Sequence, residues 1–166
     1  MDKKTLEDVK AAFAGESQAN RKYLAFAKKA DKEGYPDVAK LFRVAAEGET
    51  RHAMRHFTAM NGVGTTAENL KAALDGETYE FTTMYPGFIK DAEAANEAVA
   101  LDAFEDADKV EKEHGELYQK ALLDPANFKL ENAYVCQNCG HVHLGIEAPD
   151  KCPVCNHPAN QFVEVK

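Results

Sequence analysis

Apolar residues recur at alternating steps of three and four near the start of the chain: Leu6, Val9 and Phe13, then Glu16, Asn20, Tyr23, Ala27 and Ala30. That spacing keeps one stripe on one face and predicts a helix over residues 5–31, packed as helices pack in a bundle. Gly34-Tyr35-Pro36-Asp37 reads as a stop followed by a first-turn proline. The next stripe, Val38, Phe42, Ala45, Glu49, His52, His56 and Ala59, predicts a second helix to about Met60. Asn61-Gly62-Val63-Gly64 breaks the pattern, and Thr65-x-x-Glu68 is a capping box predicting a short helix to about Leu74, interrupted at Asp75-Gly76. This stretch reads as a long crossover between two halves of a bundle. A third long helix is expected from Glu77, with Glu77, Glu80, Met84 and Phe88 on one side and a kink at Pro86. A fourth, over 96–123, carries the stripe Glu97, Ala100, Phe104, Ala107, Glu111, His114, Tyr118 and Ala121. Beyond Asp124-Pro125 the period is lost and Gly, Pro and Asn become frequent, which predicts turns and short strands.

The polar residues inside these stripes carry the chemistry. A carboxylate facing a core costs several kcal/mol unless it is neutralised, paired or metal-bound, so Glu16 needs a partner. Glu49-Thr50-Arg51-His52 and Glu111-Lys112-Glu113-His114 each place a carboxylate and an imidazole three residues apart, aimed at one point. Oxygen with nitrogen at that spacing is a metal-ligand pair, and Glu77 and Glu80 add a second carboxylate pair. Glu16 precedes Glu49 by 33 residues and Glu77 precedes Glu111 by 34. Each half is thus a helix with a carboxylate followed by a helix with Glu-x-x-His, the di-metal carboxylate arrangement of ferritin-like bundles. His56 reads as a solvated neighbour of the site. Asp102, Asp106, Lys109, Lys112 and Glu113 fall off the stripe and read as a solvated face.

Composition narrows the classes. The chain has 166 residues, 45% of them hydrophobic, and a formal charge of −8 without a cluster of Lys or Arg, which argues against a nucleic-acid partner. No apolar run approaches the roughly 18 residues of a membrane span, and no secretory segment opens the sequence, so a cytoplasmic protein is expected. Cys136, Cys139, Cys152 and Cys155 form two Cys-x-x-Cys pairs. A module of about 35 residues rarely folds without a metal, and four thiolates make a tetrahedral site for one iron or zinc. His141, His143 and His157 read as surface-loop residues beside it.

These motifs, in this order, resemble the rubrerythrin family over essentially the whole chain. The matching stretches are Phe13-Ala14-Gly15-Glu16-Ser17, Asn20-Arg21-Lys22-Tyr23, Glu49-x-x-His52, Glu77-x-x-Glu80 leading to Met84-Tyr85-Pro86, and Glu111-x-x-His114. The tail is similar to a rubredoxin domain: Cys-x-x-Cys-Gly, Cys-Pro-x-Cys with twelve residues between the two Cys-x-x-Cys knuckles, and a closing Phe162. The resemblance implies a mainly α fold, a ferritin-like four-helix bundle over 1–130 followed by a rubredoxin-like domain over 131–166. It implies two irons held by Glu16, Glu49, Glu77, Glu80, Glu111 and His114, with His52 exchanging against Glu80 as the oxidation state changes, Tyr23 and Tyr85 beside the site, and a third iron on the four cysteines. It further implies reduction of hydrogen peroxide and assembly as a homodimer.

Oxidation of two ferrous ions to ferric raises the metal charge by two against a fixed ligand set, and ferric iron, the harder ion, favours anionic oxygen, so a carboxylate that yields to neutral His52 on reduction follows that change. A four-cysteine iron is a one-electron carrier. With no Gly-x-Gly-x-x-Gly fingerprint, electrons are expected from a separate NAD(P)H-dependent reductase or a rubredoxin. The rivals are a ferritin-like ferroxidase with a structural zinc ribbon and, from another class, a zinc-ribbon interaction module on a metal-free bundle.

Overall fold

The structure is a computed structural model describing residues 1–166. Two compact units divide it, Met1–Gly64 and Thr65–Lys166. No helix is long and apolar enough to cross a membrane.

The first unit is a pair of helices, α1 (Lys3–Lys32) and α2 (Pro36–Ala59). Helix α1 starts earlier than its apolar period because Asp2 caps it, its carboxylate accepting the Thr5 N–H at 3.0 Å and the Thr5 hydroxyl at 2.6 Å. At its end Gly34 adopts φ +82°, which glycine reaches without penalty, and the Tyr35 N–H donates back to the Ala30 carbonyl at 2.9 Å. Pro36 then fills the first turn of α2, where no N–H is needed. Helices α1 and α2 meet along small residues: Ala27 and Ala30 of α1 are buried, as are Ala39, Ala46 and Ala53 of α2. On α1 the ridge lies in the expected stripe, but on α2 it runs one residue off, and Val38, placed in that stripe by its apolarity, is 46% exposed. Alanines let the two axes approach closely, so they occupy the contact and the larger Val38 turns away. Asn20 ties the pair together, its amide donating to the Ala46 carbonyl at 2.8 Å and to the Thr50 hydroxyl oxygen at 2.9 Å.

The second unit begins with α3 (Thr66–Tyr79), opened by the expected capping box: the Thr65 N–H donates to Glu68 at 2.7 Å and the Glu68 N–H to the Thr65 hydroxyl oxygen at 3.3 Å. Helix α3 runs through Asp75-Gly76 without the expected interruption, so irregular backbone is confined to residues 60–65. A helical glycine costs only about 1 kcal/mol, and a Lys71–Asp75 pair at 2.6 Å supports the same turn. The break comes later, as a π-helical segment Glu80–Met84 in which the Tyr85 N–H donates to the Glu80 carbonyl, five residues back. Helix α4 (Tyr85–Ala95) follows with Pro86 in its first turn. The widened turn is how the chain accommodates the missing proline donor without losing its course. Asn96, at φ 57°, closes α4, and α5 spans Ala98–Leu123.

Three short strands complete the unit: β1 (Ala133–Cys136), β2 (Val142–Leu144) and β3 (Phe162–Val165), in the antiparallel order β2-β1-β3. Val135 pairs with Val142 and Cys136 with Phe162, which sets the first cysteine pair at the end of the sheet. The architecture is the expected one in class: mainly α, followed by a small sheet that carries four cysteines.

Candidate metal centres

Within the first unit, Glu16 of α1 meets Glu49 and His52 of α2, with one ligand atom from each inside a 4.8 Å cluster. His52 Nδ1 lies 3.2 Å from Glu49 Oε2 and 3.8 Å from Glu16 Oε2. A hydrogen bond between the two carboxylates raises the pKa of Glu16 and lowers that of Glu49. His56, half-buried one turn beyond His52, acts on Glu16 as a weak positive influence and is not in the cluster. Tyr23 stands two turns beyond Glu16 in an aromatic group, its ring 6.4 Å from Phe26 and 6.3 Å from Phe42.

The second unit repeats the arrangement. Glu77 of α3 meets Glu111 and His114 of α5, again within 4.8 Å; His114 Nδ1 is 2.9 Å from Glu111 Oε2 and 4.0 Å from Glu77 Oε2. Burial first, and the Glu111 carboxylate second, push Glu77 up to about 7. Glu80, on the π segment, stands outside the three-residue cluster but close enough that burial and Glu111 raise it too. Burial first, and then the charges of Glu111, Glu80 and Glu77, raise the pKa of Tyr85. It packs against Phe88 and Phe104 at 6.1 and 6.2 Å, as Tyr23 packs against Phe26 and Phe42.

The π turn explains the one-residue mismatch of the repeat. Tyr23 follows Glu16 by seven residues and Tyr85 follows Glu77 by eight, whereas Phe42 to Glu49 and Phe104 to Glu111 are both seven. The added residue lies where the helix widens, at Glu80–Met84. A π bulge inserts one residue without ending a helix, and Glu80 is the first residue of that widened segment.

In the tail all four cysteines are free thiols. Cys136 and Cys155 sulfurs are 3.7 Å apart and those of Cys139 and Cys152 3.6 Å. A tetrahedron with metal–sulfur bonds of roughly 2.3 Å has edges of roughly 3.8 Å, so the sulfurs stand where such an ion needs them. Burial pushes Cys139 and Cys152 up; at Cys136 burial acts the same way, but N–H groups of Cys139 and Asn138 outweigh it and hold the thiol down. Backbone donors aimed at sulfur stabilise thiolate, and protein donors of this kind tune a bound iron.

Residues 7–122 match the family model described as Rubrerythrin, and residues 134–163 match Rubrerythrin, rubredoxin-like domain. The chain belongs to the rubrerythrin family. It is 39% identical to a rubrerythrin of Porphyromonas gingivalis, over 98% of this chain and 90% of that one. It is 37% identical to a putative rubrerythrin of Methanocaldococcus jannaschii, over 99% and 93%. A solved structure of fully reduced, all-ferrous nigerythrin is similar with a TM-score of 0.57 and 33% identity, covering 97% of this chain and 86% of that one. The two carboxylate–histidine groups and the four-cysteine group fit the iron sites of a rubrerythrin: oxygen and nitrogen donors converge in each half, and the crowding that raises Glu16 and Glu77 is relieved by a cation.

Two residues of this rubrerythrin escape the sequence patterns. His141 is not a surface-loop residue: it is 8% exposed, and its Nδ1 lies 2.6 Å from Glu113 Oε2 on α5. Glu113, expected on a solvated face, is its partner. Helical periodicity places Glu113 off the stripe correctly but cannot show that the cysteine knuckle covers that side of α5.

Proposed function

We propose that this chain is a peroxidase that reduces hydrogen peroxide to water, using two irons held by Glu16, Glu49, His52, Glu77, Glu80, Glu111 and His114 and a third on Cys136, Cys139, Cys152 and Cys155. The observation that carries the reading is the pair of matching Glu/Glu/His clusters in one chain that also holds a four-sulfur tetrahedron. Iron held by the carboxylates and histidines would supply electrons for reducing peroxide, and iron held by the four cysteines would supply their replacements one at a time.

The protein's own groups do the rest. Glu77, raised by burial and by Glu111, and Glu16, raised by Glu49 and by burial, are relieved of that crowding when a cation binds and serve as its ligands. Glu80, outside the three-residue cluster on a turn that a π segment has widened, is the carboxylate free to bind and leave, and His52, 57% exposed at its side chain, is the imidazole free to replace it. Tyr85, held above its ordinary pKa by burial and by carboxylate charge, is a hydrogen-bond donor that stays protonated near neutral pH. Electrons come from an external NAD(P)H-dependent reductase or a rubredoxin, the working form is a homodimer in the cytoplasm, and the helical domain spans 1–130 with the electron-carrying domain over 131–166.

Anaerobic peroxide consumption by iron-loaded protein, driven by a reductase, tests this against ferroxidase activity with oxygen. The peroxidase reading expects faster turnover with peroxide and its loss in Glu111→Ala. Faster turnover with oxygen, with zinc retained in the tail, overturns it.

A further inference from the structure

We infer that Glu113 and His141 are the pair that seats the four-cysteine knuckle on α5 of its own chain, next to the turn bearing Glu111 and His114. Its use in electron delivery rests on the peroxidase reading; the seating itself does not.

The contact is built from both sides. Glu113 as a carboxylate can only accept, so His141 Nδ1 carries the proton across the 2.6 Å contact, a charge-assisted bond shielded by an imidazole 10% exposed at its side chain. Nε2 is left buried without a hydrogen-bond partner, and the ring is held edge-on to Phe162 at a centroid distance of 6.2 Å. The orientation is therefore set by Glu113 and by packing. Next to it, Gly140 at φ +87° brings the knuckle backbone over Val110: a Cβ on Gly140 would lie 3.6 Å from the valine methyl, and Val110 is 1% exposed. Val110 and Glu113 are three residues apart and share one side of α5. Val110 and Glu113 thus form the seat, while Glu111 and His114, in the same turn, reach Glu77 of α3.

His141 also belongs to the thiolate cage. Its N–H donates to the Cys139 sulfur, and its carbonyl accepts from the Cys136 N–H at 3.0 Å. A short chain of bonded and hydrogen-bonded atoms therefore runs from the Cys139 sulfur through His141 and Glu113 to the backbone of α5 at His114. In use, the thiolate iron would go from ferrous to ferric as one ferric iron of the carboxylate pair becomes ferrous, the external reductant then restoring the thiolate iron. The seat fixes the distance over which that electron moves.

The test uses the full, iron-loaded chain with Glu113→Ala, His141→Leu and His141→Asn. Glu113 is 38% exposed at its side chain, so its truncation leaves the fold intact; asparagine can present its amide N–H where Nδ1 stood. Three quantities are read: hydrogen exchange of the 139–141 amides, the midpoint potential of the thiolate iron, and its reoxidation rate after one addition of hydrogen peroxide. Expected are protection and reoxidation both falling by about tenfold in Glu113→Ala and His141→Leu, as losing one charge-assisted hydrogen bond allows, with an unchanged potential in Glu113→Ala and recovery of both in His141→Asn. Wild-type protection in Glu113→Ala overturns the seating, as does slowed reoxidation explained by a shifted potential. If the wild-type thiolate iron is not reoxidised by peroxide at all, the peroxidase reading fails. The seating is then decided by exchange alone: lost in Glu113→Ala and restored in His141→Asn supports it, unchanged overturns it.

Discussion

Replacing Glu77 by glutamine is expected to stabilise the metal-free protein while abolishing its metal site. In the folded chain Glu77 titrates at about 7, against an ordinary 4.5, because burial and Glu111 both oppose its charge. A carboxyl with a raised folded pKa binds its proton more tightly folded than unfolded. Stability is therefore fullest below pH 4.5 and is lost as pH rises from there through 7. Two and a half pH units at about 1.4 kcal/mol each set the loss at roughly 3 kcal/mol. The side chain is 19% exposed, so screening by solvent trims this figure without removing it. Glutamine keeps the shape and an N–H to offer Glu111, and it never ionises. Urea unfolding of chelator-treated protein, followed by helical circular dichroism from pH 5 to 8, should show wild-type stability falling by up to about 2.5 kcal/mol and a nearly flat profile for Glu77→Gln. The variant should be the more stable at pH 8 and bind less iron. A flat wild-type profile, or a variant no more stable than wild type at pH 8, would refute the assignment of strain to this carboxylate.

Asn20→Ala removes both amide bonds between α1 and α2 and should cost about 1–2 kcal/mol in urea unfolding; because Thr50 still donates to the Ala46 carbonyl at 3.1 Å, the loss should stay modest. Thr65→Ala breaks the capping box of α3 and should cost about 1 kcal/mol, read as faster hydrogen exchange confined to the first turn of that helix. Cys152→Ser leaves three thiolates where four are needed, and should abolish the iron–thiolate absorption and unfold 133–165 while helical circular dichroism is retained.

The sequence made the helices and the two Glu/Glu/His groups legible because both depend on short-range spacing. Glu-x-x-His at three residues, the capping box at Thr65 and the proline in the first turn of α2 each determine a local geometry by themselves. The misses arise where distant residues decide. Asp75-Gly76 looks like a break until the capping box and the Lys71–Asp75 pair carry α3 through it. The π segment leaves only a one-residue slip in the repeat, 33 against 34, as its trace. Val38 looks like core, but alanines one position along make the contact. His141 and Glu113 are 28 residues apart and carry no mutual pattern.

The most direct measurement is an anaerobic visible spectrum of iron-loaded protein, reduced with dithionite and titrated with hydrogen peroxide beside metal counts. The account predicts iron–thiolate absorption that bleaches on reduction and returns as peroxide is consumed, with two further irons per chain. A colourless, zinc-bound tail that takes no part while the carboxylate centre oxidises iron with oxygen would contradict it.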